Sequence, residues 1–278
     1  MTVLVTGASG FIGSRLAGHL GSGDVLTDVV TSKKVKKLDV LDAAETAEVI
    51  SGYWPDVVVH LAGPVVGHAR KKPADAVRLQ VEGTLNVLQA CREVGAKVVL
   101  ASSFYVYDGI DQDSVVWEGT ELNLMVPETF GAAKLMAERL VADYGTAYGL
   151  EWMVLRFGSA YGPGEGSNVI SDFVKMGESE QVVEIWGSGN RANQYTHVDD
   201  IVAGILMACE HSGEVWNLIS PERTSTRELA ETMSNMFGFE FVFNTEKPEG
   251  PSMPTMLPIV ARRRGWSARP LVEGLKLL

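Results

Sequence analysis

Three glycines, Gly7, Gly10 and Gly13, recur at three-residue spacing in the run Gly7-Ala8-Ser9-Gly10-Phe11-Ile12-Gly13. Such a turn lets the chain reverse tightly and brings backbone N–H groups against an anion, and a helix opening directly after it adds partial positive charge. The chemistry this suggests is phosphate binding. Its weight comes from context: an apolar run at 3–6 precedes the turn and an amphipathic run follows it. Other groups carry less. Asp199-Asp200 reads as a helix N-cap rather than a metal-binding pair. His60, in an apolar run, and His197, just before that cap, read as structural. Cys91 and Cys209 show neither CxxC nor metal-ligand spacing, so no metal is expected.

The elements that position the turn follow from hydrophobic period. Residues 3–6, 24–30, 37–40, 56–61, 97–102 and 151–157 read as strands; 11–20, 74–94 and 132–148 read as helices. Ile12, Leu16 and Leu20 share one helical face, and Asp56-Val57-Val58-Val59-His60-Leu61 is apolar enough for a strand covered on both sides. The alternation predicts a parallel, doubly wound α/β sheet with right-handed crossovers. After Phe157 the rhythm breaks at a glycine-rich loop. The expected division is therefore a lobe at 1–157 and a smaller one at 158–278, with a helix near 199–210 returning to the first. Residues 226–236 read as helix, and the proline-containing stretch 249–258 as extended chain.

Composition bounds the rest. The 278 residues are 46% apolar and 21% charged, too apolar for a disordered chain. A net charge of −11 argues against nucleic acid as a partner. It leaves room for an anionic small molecule held by a few local donors. Two unpaired cysteines suit a reduced, cytoplasmic protein. No leader is expected ahead of the first apolar run at Val3, and no run approaches the roughly 20 apolar residues of a membrane span.

The GxxGxxG form of the turn resembles the short-chain dehydrogenase/reductase superfamily. Thr6-Gly7-Ala8-Ser9-Gly10-Phe11-Ile12-Gly13 is similar to its extended branch, the nucleotide-sugar epimerases and dehydratases. Residues 56–63 are similar to that family's fourth strand, Ser102-Ser103-Phe104-Tyr105-Val106-Tyr107 to its SSxxVY segment, and residues 155–163 to its LRxxNVYGP loop. His197-Val198-Asp199-Asp200 and Gly265-Trp266 complete a series spanning nearly the whole chain. The resemblance implies a Rossmann-type sheet, a smaller C-terminal substrate lobe and an NAD(P) site. In that site Gly7, Gly10 and Gly13 form the turn, and Phe11 and Ile12 donate backbone N–H groups to the pyrophosphate. Asp28 accepts from the adenosine ribose hydroxyls. Asp39 and Val40 contact adenine; Leu61, Ala62, Gly63 and Gly158 line the cofactor; Gln80 stands where the family usually has Asn. The run Lys33-Lys34-Val35-Lys36-Lys37 reads as a solvated face rather than a 2′-phosphate site, because Asp28 repels that phosphate. NAD is expected over NADP.

In this family the nicotinamide exchanges a hydride with a sugar carbon while a Tyr takes the hydroxyl proton. A Lys four residues on, sharing the helical face, lowers the Tyr pKa and holds the nicotinamide ribose; a Ser or Thr places the substrate oxygen. Here Ser103 and Lys134 are present, and the Tyr position is Phe130, which has no ionisable group. Three readings stay open: a Tyr→Phe change introduced to trap substrate, a natural chain with another base, or binding without turnover. Tyr105 is the candidate surrogate base, against a packed aromatic; Tyr107 reads as structural. Phe104 and Tyr105 stand where the 4,6-dehydratases carry an Asp-Glu pair, which disfavours that activity. On the substrate side, Asn193 replaces the Arg of the family's GxGxxxRDF segment that clamps a nucleotide diphosphate, and Gln194 replaces its Asp. Arg191 lies two residues earlier as a substitute, Ser159 replaces the family's Asn, and Asn168 is expected against a phosphate or sugar. The resemblance implies an NAD-dependent, 4-epimerase-like enzyme acting on a nucleotide-linked sugar; the alternatives are a ketosugar reductase and a silent dinucleotide binder. Leu135, Met136, Leu140 and Val141, spread round the helix at 132–148, also imply a homodimer through a four-helix interface with the helix at 74–94.

Overall fold

Val57, Val58 and Val59 are all buried, as a strand covered on both faces requires. In the computed structural model, which describes residues 1–123, 125–166, 168–179 and 182–278, that strand lies at the middle of a seven-stranded sheet. The order is Glu214–Leu218, Trp152–Phe157, Lys97–Ser103, Val57–His60, Val3–Thr6, Val25–Asp28, Val35–Lys37, and every neighbour is parallel. Strand order reverses beside Val3–Thr6, which places the glycine turn at the switch point of the sheet. Ile50, Val87, Leu88, Ala137 and Val141 cover one face from the helices Ala43–Tyr53, Pro73–Val94 and Thr129–Tyr148. Leu16, Ile201, Val202 and Ile205 cover the other from Phe11–Ala17 and Val198–Ala208.

The helix Val198–Ala208 thus returns to the sheet. The strand Glu214–Leu218 returns with it as the edge of the sheet, a crossing that the hydrophobic period does not predict. The third strand runs at Val35–Lys37 rather than 37–40, because Leu38 and Val40 turn into the core past its end. The long helix starts at Thr129, three residues before the expected start, which puts Phe130 in its first turn.

Asp199-Asp200 is not the N-cap of Val198–Ala208. The cap is His197, whose Nδ1 accepts from Asp199 N at 3.2 Å. The two acids instead form ion pairs with separate arginines, Asp199 with Arg15 and Asp200 with Arg269. Trp266 is core, its Nε1 donating to Asp200 O at 2.8 Å. Val141 is fully buried, Leu135 and Leu140 are half-buried, and only Met136 of those four is exposed.

The smaller lobe has its own core of Ile170, Phe173, Val183, Ile185, Leu229, Met233 and Phe239. It is built on the helices Val169–Glu178 and Thr226–Phe237 and the parallel pair Val183–Trp186 and Phe241–Asn244. The proline-containing stretch ends in the strand Thr255–Leu257, paired with Val115–Trp117.

Candidate active site

A cleft of about 1000 Å³ is lined by the glycine turn, the end of the strand Lys97–Ser103 and the smaller lobe. Gly7 stands at φ +74°, and a Cβ there would come within 2.6 Å of Ala62 N. A Cβ on Gly13 would collide with Gly7 O, so neither position accepts another residue. The helix opening at Phe11 has no side-chain cap and no acid in its first turn. The Phe11 and Ile12 N–H groups therefore lack an acceptor from the chain's own cap.

Behind the cleft wall at Gly63, a second set of groups gathers. Gln80 is fully buried and its Oε1 has no hydrogen-bond partner among the described residues. A Cβ on Gly63 would meet that oxygen at 2.8 Å and Lys134 Nζ at 3.4 Å. An unused acceptor and an ammonium thus converge where only hydrogen fits on the backbone. Uncapped amides at one end and these two groups at the other suit a dinucleotide, with its diphosphate and ribose hydroxyls. Asp28 lies beside the turn, Oδ2 accepting from Ser9 N at 2.9 Å and Oδ1 from Val30 N at 3.0 Å. Asp28, Asp39, Val40, Ala62 and Gln80 stand behind or beyond the cleft wall; Gly7, Gly10, Phe11, Ile12, Gly13, Leu61, Gly63 and Gly158 form it.

Lys134 is 7% exposed, and its Nζ donates to Ala101 O at 2.8 Å, 5.7 Å from the Phe130 ring centroid. Burial pulls its pKa down to about 8, against Glu138 one helical turn on, which pushes it up. Ser103 ends its strand with Oγ accepting from Tyr105 N at 3.3 Å. The short helix Phe104–Tyr107 that follows turns Tyr105 into the cleft, where burial raises its phenol pKa and the Arg70 charge pulls it back. Behind this wall Glu138 accepts from Arg156 Nη2 at 2.7 Å and from the Ser102 hydroxyl, and Arg156 Nη1 donates to the Tyr107 hydroxyl at 2.8 Å. Tyr107 is thus part of a buried network, as expected.

On the substrate side, Asn193 Nδ2 donates to Ser159 Oγ at 2.7 Å, and both line the cleft with Phe104, Asn168 and Arg191. The Asn168 amide is taken by the fold: Oδ1 caps Val169–Glu178 at Ser171 N, 2.9 Å, and Nδ2 donates to Ala160 O at 2.7 Å. Gln194 is buried, bonded to Ser220 O and to both backbone groups of Met256. His60 is structural, between Thr6 and Thr84. Sequence reasoning missed Arg70, Trp186 and Glu249, which also line the cleft. Trp186 was readable, since the alternation Val183-Glu184-Ile185-Trp186 points it outward, and it is 56% exposed. Arg70 carried no spacing signal; its bidentate pairing to Glu128 is tertiary.

A doubly wound sheet, a glycine turn at its switch point and a second lobe facing it define a dinucleotide-binding α/β enzyme. More particularly, the chain belongs to the NAD dependent epimerase/dehydratase family, which it matches over residues 3–218. It is 29% identical over 294 residues to a putative UDP-glucose 4-epimerase of Methanocaldococcus jannaschii, covering 99% of this chain and 96% of that one. Among solved structures it resembles the UDP-glucose 4-epimerase of Thermotoga maritima with UDP-glucose (TM-score 0.91, 25% identity, 100% and 97% of the two chains). It also resembles that of Brucella ovis in complex with NAD (TM-score 0.87, 28% identity, 99% and 96%).

Proposed function

We propose that the protein interconverts nucleotide-linked sugars by transient oxidation of a sugar hydroxyl. The observation that carries this is the meeting of Ser103, Lys134 and the glycine turn on one cleft whose other wall is a separate lobe. NAD, when bound, would supply the hydride acceptor and donor. The chain's own residues divide the remaining work. The Phe11 and Ile12 amides hold the diphosphate, Asp28 the adenosine ribose, and Asp39 and Val40 the adenine side. Gln80 and Lys134 face the nicotinamide end. Ser103 orients the sugar hydroxyl. Phe130 closes the wall without a proton-accepting atom, and Tyr105, packed against it, brings the phenol that moves the proton. Ser159, Asn193 and Arg191 meet the substrate from the smaller lobe, and exposed Trp186 offers a flat apolar surface there. The epimerase names of the relatives favour an epimerase over a reductase.

The working unit in this reading is a cytoplasmic homodimer. Cys91 and Cys209 are free and buried, which suits a reducing compartment, and no helix among the described residues is long and apolar enough to cross a membrane. The helices Pro73–Val94 and Thr129–Tyr148 pack side by side, so a two-fold axis would assemble four. The activity test is incubation of the NAD-loaded chain, and of its Phe130→Tyr variant, with UDP-glucose, UDP-galactose and UDP-glucuronate, with products resolved by chromatography. Conversion of one of them is expected. No conversion by either chain overturns the reading.

A further inference from the structure

The turn Gly187-Ser188-Gly189-Asn190-Arg191 is an anion cradle, and a side chain of the same protein already fills it. Gly187 and Gly189 sit at φ +74° and +75°, alternating with Ser188 and Asn190. That alternation aims successive N–H groups into one hollow. Glu249 lies in it: Oε2 accepts from Ser188 N at 3.2 Å and Ser188 Oγ at 2.8 Å, and Oε1 accepts from Arg191 N at 2.7 Å. These donors, the Arg191 N–H foremost, hold the Glu249 carboxyl below its ordinary range.

The hollow belongs to the cleft, which both Glu249 and Arg191 line. The Arg191 guanidinium rests over Gly250, and among the described residues no ion pair reaches it. A carboxylate brings one charge and two oxygens to a place with three donors and an adjacent cation. A diphosphate brings more of both, and guanidinium–phosphate pairs are among the stronger charge-assisted contacts. Neighbouring amide donors have partners in the fold: Asn193 Nδ2 donates to Ser159 Oγ and Asn168 Nδ2 to Ala160 O. Glu249 itself rides on a loop between the strands Phe241–Asn244 and Thr255–Leu257, flanked by exposed Pro248 and Gly250.

We propose that Glu249 is an internal stand-in for the substrate's diphosphate and leaves the 187–191 cradle when a nucleotide sugar enters. The proposal rests on the nucleotide-sugar reading above. It is tested by calorimetric titration of the NAD-loaded protein with inorganic pyrophosphate and with UDP. Glu249→Gln, which keeps shape and removes charge, tightens both at least tenfold, and adding Arg191→Ala reverses the gain. Glu249→Asp, which keeps the charge and shortens its reach, tightens both by a smaller factor and stands in if the first variant does not fold. Pyrophosphate affinity unchanged or weakened in the Glu249 variants overturns the proposal. Equal UDP binding by all chains keeps the nucleotide reading and removes the displacement. Tighter pyrophosphate without UDP binding in any chain keeps the displacement and removes the nucleotide.

Discussion

Tyr105 stands edge-on to Phe130, ring centroids 5.5 Å apart and planes at 89°. The two residues belong to different elements, the short helix after Ser103 and the first turn of the helix carrying Lys134. A phenol and a phenyl ring therefore share one wall of the cleft beside Lys134, and of the two only Tyr105 carries an oxygen there. Behind that wall lies the buried Glu138–Arg156 ion pair.

The proposed place of Asp28 at the adenosine ribose predicts a cofactor preference. Its two oxygens accept from the Ser9 and Val30 amides, which hold the carboxylate beside the turn, where it would oppose a 2′-phosphate. At about 4 Å and an effective dielectric near 20, a like-charge contact costs about 4 kcal/mol. NAD should bind at least tenfold more tightly than NADP, and Asp28→Ala should narrow the gap. Calorimetric titration with both cofactors decides; an NADP preference would transfer the role to exposed Lys33 or Lys34.

Acid stability depends on His60. Thr84 Oγ1 donates to Gln80 O at 2.5 Å, so it accepts from His60 Nε2 at 3.2 Å, leaving Nδ1 to accept from Thr6 at 2.8 Å. Burial, with a smaller push from Lys134, lowers the folded pKa to about 3 from 6.5. Between those values the unfolded chain binds a proton that the folded chain refuses. Stability therefore falls as pH drops through that window, by up to about 1.4 kcal/mol per pH unit. Urea midpoints at several pH values should show this slope, with a shallower one in His60→Gln; identical slopes would discount the imidazole.

The Glu138–Arg156 pair makes a third measurement. Both side chains are under 10% exposed, at 8% and 5%. Glu138→Gln leaves the guanidinium buried without its anion, a change that costs about 3 to 5 kcal/mol. It also removes the charge that holds the Lys134 pKa up, so that pKa should fall below about 8. Thermal melts and NMR titration of the lysine side chain read the two effects separately. An unchanged melting temperature would mean that water or another group compensates Arg156.

What the sequence disclosed was whatever local chemistry dictates. The glycine turn, the buried Val57–His60 strand and the Lys134 helix were legible because φ freedom, apolar runs and helical period are local properties. The return of Glu214–Leu218 was not, since an edge strand is identified by its partner, here Trp152–Phe157. The roles of Asp199 and Asp200 were misread for the same reason: Arg15 and Arg269 lie far off in the chain. Glu249 was invisible among other surface acids until the fold set it in the 187–191 turn.

Assembly is testable without substrate. Val141 is in the core, so the proposed dimer face is narrower than the helical pattern suggested, resting on Met136 and the half-buried Leu135 and Leu140. Light scattering at micromolar concentration should give twice the 30.1 kDa chain mass, and Met136→Glu should shift the equilibrium towards monomer. A monomeric mass for the unaltered chain would remove the dimer.

The proton carrier is settled by exchanging an oxygen between two rings. Phe130→Tyr places a phenol on the same helical face as Lys134, whose ammonium lies 5.7 Å from the present ring. A positioned acid–base group contributes about 10² to 10⁴ in rate, or about 3 to 5 kcal/mol of barrier. If Tyr105 carries the proton in this chain, Tyr105→Phe abolishes turnover and Phe130→Tyr changes it little. Should the chain instead lack a base, Phe130→Tyr raises turnover by the full factor and Tyr105→Phe is harmless. Cofactor affinity should hold in both variants, because the glycine turn and Lys134 are untouched. Stopped-flow absorbance of the nicotinamide during a single turnover separates the two outcomes. Our assignment to Tyr105 requires the first; the second would return the role to position 130.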